Sequence, residues 1–331
     1  MTKPQKTSLR GAQRRGNLPS RALRLLRFAR NDIERPAGAG RRLPRGIGEP
    51  IVEWCIKLSG FAVVGFVFLI FLFLLRDSLS LFREYPLKQF LFGTEWLPIS
   101  DPPKFGVIPL LLGSVLVTFW AIVICVPLGV GAAMFIAEVA PKMLKHVLKS
   151  LVEILAAIPS VVLGFLGIIW LGPVLRDVFG LPTGMCGLTG SLLLAFMALP
   201  TIISISEDAL VGVPKTYREA AFGLGATRWQ TLWRVILPAA SPGIVAAVML
   251  GIGRVVGETM VVLMVTGNAP VVPHSILQPL RTLTATIAGE MGETVGGSEH
   301  YFALFAVGLV LFAITFSINL VADVFLRRAR K

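Results

Sequence analysis

Six apolar runs of about twenty residues set the limits on what this chain can fold into, because a helix needs roughly 20 mainly apolar residues to cross the hydrocarbon core of a bilayer. The runs lie at about 54 to 75, 107 to 137, 147 to 171, 186 to 210, 242 to 266 and 302 to 326. Hydrophobic residues make up 54% of the 331 positions, the composition of an integral membrane protein rather than of a soluble domain. The expected fold is an all-α membrane bundle of six helices, and an even number of spans puts both termini on one side.

Charge orients that bundle. The net charge is +13, and residues 1 to 50 hold 13 Lys/Arg against Asp32, Glu34 and Glu49. Basic residues beside a first span mark the cytoplasmic flank more often than a nucleic-acid site, so no nucleic-acid partner is expected. Lys142, Lys145 and Lys149 surround the second connection, Lys215, Arg218, Arg228 and Arg234 the fourth, and Arg327, Arg328, Arg330 and Lys331 follow the last span. Loops 76 to 104, 172 to 185 and 267 to 301 hold six basic against eight acidic residues and face outward. Both termini are thus expected to be cytoplasmic.

The expected organisation is a basic cytoplasmic tail at 1–50, a first helix with an external loop at 51–104, a transmembrane domain at 105–327 and a short tail at 328–331. The tail lacks a secretory signal. Within it Arg21, Arg24, Arg27 and Arg30 alternate with Leu and Phe, so it reads either as disordered or as a short helix on anionic lipid, unless an upstream start codon adds it without a role. The first span, rich in Phe and Leu, suits a peripheral helix facing lipid. Trp96, in a proline-rich external loop, is expected to order that loop at the membrane interface.

Cys55, Cys125 and Cys186 form no CxxC pair and read as small buried hydrophobes. His146, His274 and His300 lack metal-ligand spacing, so no metal site is expected. Pro127, Pro159 and Pro200 each lie within a predicted span, where proline frees a backbone carbonyl and kinks the helix. Pro159, followed by Ser160 among small residues, marks either close helix packing or the lining of a pathway.

The connection between spans four and five reads VPKTYREAAFGLGATRWQTLWRVILPAASPG. Thr216 with Glu219 and Thr227 with Gln230 fit the capping box. Gly223 and Gly225 fall between them and Pro238 closes the second unit, so two short helices joined at a glycine turn are predicted. Ala220, Ala221, Leu224, Trp229, Leu232 and Trp233 exceed what two short helices can bury. They need either the headgroup layer or a protein groove that takes a helix by its apolar face.

Glu219-Ala220-Ala221, three residues, Gly225, nine residues, Val235, one residue and Leu237-Pro238 resemble the EAA loop of importer permeases of the ATP-binding cassette (ABC) class, with Val235 where isoleucine is usual. In such permeases the loop, here 214–240, docks on a cytoplasmic ATPase. The chain has no GxxxxGK[ST] loop, so ATP with magnesium is expected in a partner and no cofactor on this chain. From about residue 90 to 327 the chain is similar to phosphate-importer permeases of the PstC type. The stretches that carry this are WLPISDPPKFGVIPLLLGSVLVT, VPLGVGAAMFIAEVAP, EILAAIPSVVLGFLG and GRVVGETMVVLMVTGN. The sister type, PstA, usually has Ala-Pro where this chain has Met260-Val261. The resemblance implies a type I ABC importer bundle in a bacterial inner membrane. It also implies a sister permease of the PstA type, two PstB-type ATPase subunits and a periplasmic phosphate-binding protein of the PstS type.

Arg254 and Glu258 stand inside the fifth apolar run, four residues apart, which places both on one face of an unbroken helix. A central Arg costs about 2.5 to 3.5 kcal/mol on insertion scales, and an exposed helical ion pair returns only about 0.2 to 0.5 kcal/mol. The pair should therefore face protein or water. One reading is a buried ion pair that fixes helix register. The other, which the resemblance favours, is a substrate path in which the Arg254 fork meets phosphate oxygens and Glu258 holds it. Gly253 and Gly257 beside them would let another helix approach, from a sister permease or from this chain's own bundle. The competing functions are import of another oxyanion or polar solute, and a scaffold that reports phosphate status. An enzyme is the weakest option, because no nucleophile, base and orienting group can be assembled.

Overall fold

A computed structural model describes residues 48–329. The proposed basic tail up to residue 47, including its candidate lipid helix, lies outside the described residues, as do the last two residues of the short tail after the final span. Among the described residues six helices are long and apolar enough to cross a membrane: Val52–Glu84, Ile108–Val139, Ser160–Phe179, Gly187–Val211, Arg228–Val256 and Glu299–Val324.

The chain divides into two units, residues 1–65 and 66–331. The described part of the first is the start of α1 (Gly48–Glu84), whose side chains from Val52 to Gly65 are all exposed. Lys57 lies inside this predicted span and is paired with Glu53 one turn earlier, Nζ to Oε1 at 2.7 Å.

In the second unit, α1 continues from Phe66 and meets α13 (Glu299–Ala329) through the ring pairs Phe71 with Phe312 and Phe73 with Phe305. After α2 (Leu87–Phe92), a two-residue antiparallel ribbon pairs β1 (Trp96–Leu97) with β2 (Lys104–Phe105). Trp96 orders this loop through contacts within the chain. It is buried, its ring edge against Phe105, and its Nε1–H donates to Glu290 Oε2 at 3.1 Å. The loop is ordered from within.

The core is α7 (Gly187–Val211) packed between α3 (Ile108–Met134) and α10 (Leu237–Val256). On α3 the buried positions Gly113, Val117, Ala121, Cys125, Gly129 and Ala133 recur every four residues, giving one stripe of mostly small side chains. Small residues let membrane helices approach closely. Fully buried Ile202 of α7 occupies the space beside two of them: a Cβ on Gly129 or on Gly251 of α10 would lie 2.7 Å from its side-chain carbons.

Two predicted spans are corrected. The third does not begin at 147. The residues from Lys142 to Ala157 form a separate amphipathic helix, α4, with no buried side chain, and the span begins at Ser160. Pro159 causes the division: it has no N–H to give to a preceding turn, and it holds Ile158 extended at φ −67°, ψ 124°. Pro159 is thus the cap of α5 (Ser160–Leu166) rather than a kink within a helix. A π turn, Gly167–Leu171, leads from α5 into α6 (Gly172–Phe179). Pro127 and Pro200 do lie inside their helices.

The fifth span does not run from 242 to 266. It begins near Arg228 and ends at Val256, and a separate short helix, α11 (Met260–Val265), follows. α12 (Leu283–Glu290) comes before α13.

Candidate anion path and coupling loop

Arg254 sits in the last turn of α10, where the helix ends at Gly257, whose N–H donates to Gly253 O at 3.2 Å. A guanidinium there is favoured by the partial negative charge of the helix end. Its Nη1–H donates to the Thr201 hydroxyl of α7 at 3.3 Å, and among the described residues this is the one hydrogen bond of its side chain.

Glu258 lies beyond that helix. Its Oε1 accepts the backbone N–H groups of Met260 at 3.2 Å and Val261 at 3.4 Å, and its carbonyl accepts the Thr284 hydroxyl at 2.9 Å. Its carboxylate satisfies the free donors at the start of α11. The prediction that Arg254 and Glu258 share one helical face therefore fails. It assumed an unbroken helix, and Gly257 ends the helix between them. Both side chains are half-buried, and no ion pair joins them among the described residues.

Gly253 and Gly257 are exposed. A Cβ on Gly253 would meet nothing within 4 Å, and one on Gly257 only Gly253 O at 3.5 Å. Among the described residues no helix of this chain fills the space beside them. Pro159 is exposed and Ser160 half-buried, and they start the helix that packs on α11, where Gly164 faces Met264.

The loop 214–240 forms α8 (Lys215–Gly223), a glycine turn with Gly225 at φ +80°, and α9 (Arg228–Thr231). The second capping box is present: Gln230 N–H donates to Thr227 Oγ1 at 3.3 Å and Thr227 N–H to Gln230 Oε1 at 2.9 Å. The first is absent, because Pro214 caps α8 and Thr216 falls inside it. Nor does Pro238 close the second helix. A π turn, Leu232–Ile236, carries α9 directly into α10, whose first residues are Leu237 and Pro238. From Arg228 onward, the second half of this loop and the fifth span are thus one continuous helical path.

Ala221 and Leu232 are buried in the chain, whereas Glu219, Ala220, Gly225 and Pro238 are exposed and Leu237 half-buried. Leu224 is 90% exposed, and Trp229 and Trp233 pair edge to face on the surface at 5.6 Å. An unoccupied apolar face of this kind suits a protein groove.

Three charged clusters escaped sequence reasoning. Arg218 of α8 donates to Glu138, at the end of the second span. Glu207, buried near the end of α7, accepts from Lys145 at 2.7 Å and Lys149 at 3.1 Å, both on α4. The hydrogen bond to Glu207, followed by that carboxylate's charge, raises the Lys149 ammonium above its ordinary pKa. Glu290 of α12 gathers Arg281, His300 and Trp96. A carboxylate near the end of an apolar run, such as Glu138 or Glu207, was the available signal, since such a charge needs a partner.

Residues 126–331 match the family described as "Binding-protein-dependent transport system inner membrane component". The chain is 43% identical over 228 residues to the "Probable ABC transporter permease protein YqgH" of Bacillus subtilis (strain 168), covering 69% of this chain and 74% of that one. It is 38% identical over 259 residues to the "Phosphate transport system permease protein PstC" of Mesorhizobium japonicum, covering 72% and 78%. Among solved structures, a bacterial alginate ABC transporter aligns with TM-score 0.60 at 16% identity, over 86% of this chain and 98% of that one. The inward-facing MetNI methionine ABC transporter aligns with TM-score 0.50 at 23% identity, over 68% and 94%. These two establish the fold as that of an ABC importer permease. The chain belongs to the family of binding-protein-dependent transport system inner membrane components, as a multi-pass permease subunit rather than an enzyme, with ATP hydrolysis and solute capture belonging to partner proteins.

Proposed function

We propose that this chain is the PstC-type permease subunit of an ATP-driven importer of inorganic phosphate, and that Arg254 lines the anion path. The observation that carries this reading is a guanidinium at the end of a membrane span, paired only with the neutral Thr201 hydroxyl among the described residues. An uncompensated cation is costly in a bilayer. A planar fork of N–H donors suits phosphate oxygens, and an anion arriving there would supply the missing counter-charge. The phosphate-transport names of relatives such as PstC of Mesorhizobium japonicum support the same solute. Glu258 acts in this path through the backbone, by holding the start of α11 beside Arg254.

The open face at Gly253 and Gly257 suits a sister permease of the PstA type. The exposed Glu219-Ala220-Ala221 and Gly225 segment, with Leu237 and Pro238 at the root of α10, docks on one of two PstB-type ATPase subunits, which bind ATP with magnesium. A periplasmic phosphate-binding protein of the PstS type delivers the anion, and both termini are cytoplasmic. The test is uptake of labelled phosphate, sulfate and molybdate by proteoliposomes holding this chain with its partners. ATP-dependent uptake of phosphate alone is expected; uptake of another oxyanion with none of phosphate would overturn the assignment.

A further inference from the structure

We infer that Arg218 and Glu138 form the joint through which movement of the ATPase-docking loop reaches the membrane helices. The inference rests on the reading of 214–240 as that loop. Arg218 lies one residue before Glu219 on α8, yet its side chain points back to the bundle. Nη1–H donates to Val213 O at 2.8 Å, and Nη2–H donates to Leu210 O at 3.1 Å and to the Glu138 carboxylate. One guanidinium thus joins α8 to the end of the fourth span and to the π turn that ends the second, 80 residues away in sequence.

Few other side chains of α8 itself are placed to make that connection. α8 packs chiefly on α9 and the π turn Leu232–Ile236 of its own loop. Of its nine residues only Ala221 is buried, while Tyr217, Phe222 and the following Leu224 are exposed. A push on α8 therefore has two ways into the bundle: through the glycine turn into α9 and α10, whose preceding Leu232 and Ile236 share an apolar cluster with Ala133 and Leu210, and across the Arg218 fork into α3 and α7. The Arg218 and Glu138 side chains are about one-fifth exposed, enough shielding for the charge-assisted bond to outweigh an open surface pair.

The second route ends at the proposed anion path. α7 is one helix from the Leu210 carbonyl back to Thr201, whose hydroxyl meets Arg254. The Glu207 carboxylate, one turn before Leu210, also ties α4 to the same end of α7. Arg218 is a positioning residue in this scheme: it touches neither solute nor nucleotide. Lysine would keep the charge but lose the planar fork that holds three acceptors at once.

The test uses the full complex in proteoliposomes, with ATP hydrolysis and solute uptake measured on the same sample and ATPase co-purification as the assembly control. Arg218→Gln, Glu138→Gln and the double variant form a cycle, with Arg218→Lys beside them. Each single variant is expected to stay assembled and hydrolyse ATP, with solute moved per ATP down about fivefold to tenfold. The double variant should be no worse than either single one, and Arg218→Lys should recover part of the ratio. Glu138→Gln leaves the Leu210 and Val213 contacts in place, so it isolates the ion pair even where Arg218→Gln disturbs the loop. An unchanged ratio in assembled variants, losses that simply add in the double variant, or loss of assembly at Glu138→Gln would each overturn the joint. If the wild-type complex moves a different solute, the phosphate assignment fails, and the same ratio measured with that solute still decides this inference.

Discussion

Arg254 and Glu258 are four residues apart but do not share a helix: Arg254 donates to Thr201 from the end of α10, and Glu258, in the connection that follows, accepts the first N–H groups of α11. Their roles should therefore separate under mutation. Glu258→Ala removes a helix-start acceptor and should cost about 1 kcal/mol, read as a lower melting temperature of the purified complex. Glu258→Gln keeps an acceptor oxygen and should retain most stability and uptake. An ion-pair role would instead make Glu258→Gln as damaging as Arg254→Gln.

Ile202 fixes the spacing of three spans by filling the space beside Gly129 and Gly251. Gly129→Leu should overpack this contact and destabilise the subunit by about 1 to 3 kcal/mol. Ile202→Ala in the same chain should recover part of that loss. Thermal unfolding in detergent, followed by assembly yield, checks both, and equal melting of Gly129→Leu and wild type would contradict the packing.

The buried Glu207 carboxylate has two ammonium partners, so losing one should matter little. Lys149→Ala alone should cost less than about 1 kcal/mol, because that side chain is half exposed and Lys145 stays. Lys145→Ala with Lys149→Ala leaves a buried carboxylate unpaired and should cost about 3 kcal/mol, with Glu207→Gln restoring part of it. The pH sign follows from Lys149, whose folded pKa is raised above its ordinary 10.5. Its contribution is complete below pH 10.5 and is lost only as pH rises through the higher folded value. Melting measured between pH 6 and 9 should not report this pair; a loss of stability confined to pH above about 10.5 should.

The proposed docking surface includes the exposed Glu219 and Gly225, whose left-handed backbone at φ +80° favours glycine. Glu219→Lys and Gly225→Asp should each reduce co-purification of the ATPase subunit and uptake together, while the membrane bundle keeps its melting temperature. Unchanged co-purification would place the docking surface elsewhere.

The spans were legible because apolar length alone identifies them, and the Thr227 to Gln230 cap and the Gly225 turn were legible because each is local. The third span was misplaced because Leu151 to Ile158 extends the apolar run of the true span. Lys142, Lys145 and Lys149, at helical spacing before Pro159, were the signal for a separate amphipathic helix. The Arg254 and Glu258 geometry was misread because i to i+4 spacing carries meaning only within a continuous helix, and Gly257 ends it. The partners of Glu138, Glu207 and Glu290 lie on other elements, and no local pattern encodes such pairing.

The anion-path claim is tested most directly at Arg254. Phosphate uptake per ATP by the assembled complex should fall about tenfold or more in Arg254→Gln and be partly retained in Arg254→Lys, which keeps the charge without the fork. Wild-type phosphate uptake by an assembled Arg254→Gln complex would contradict the account.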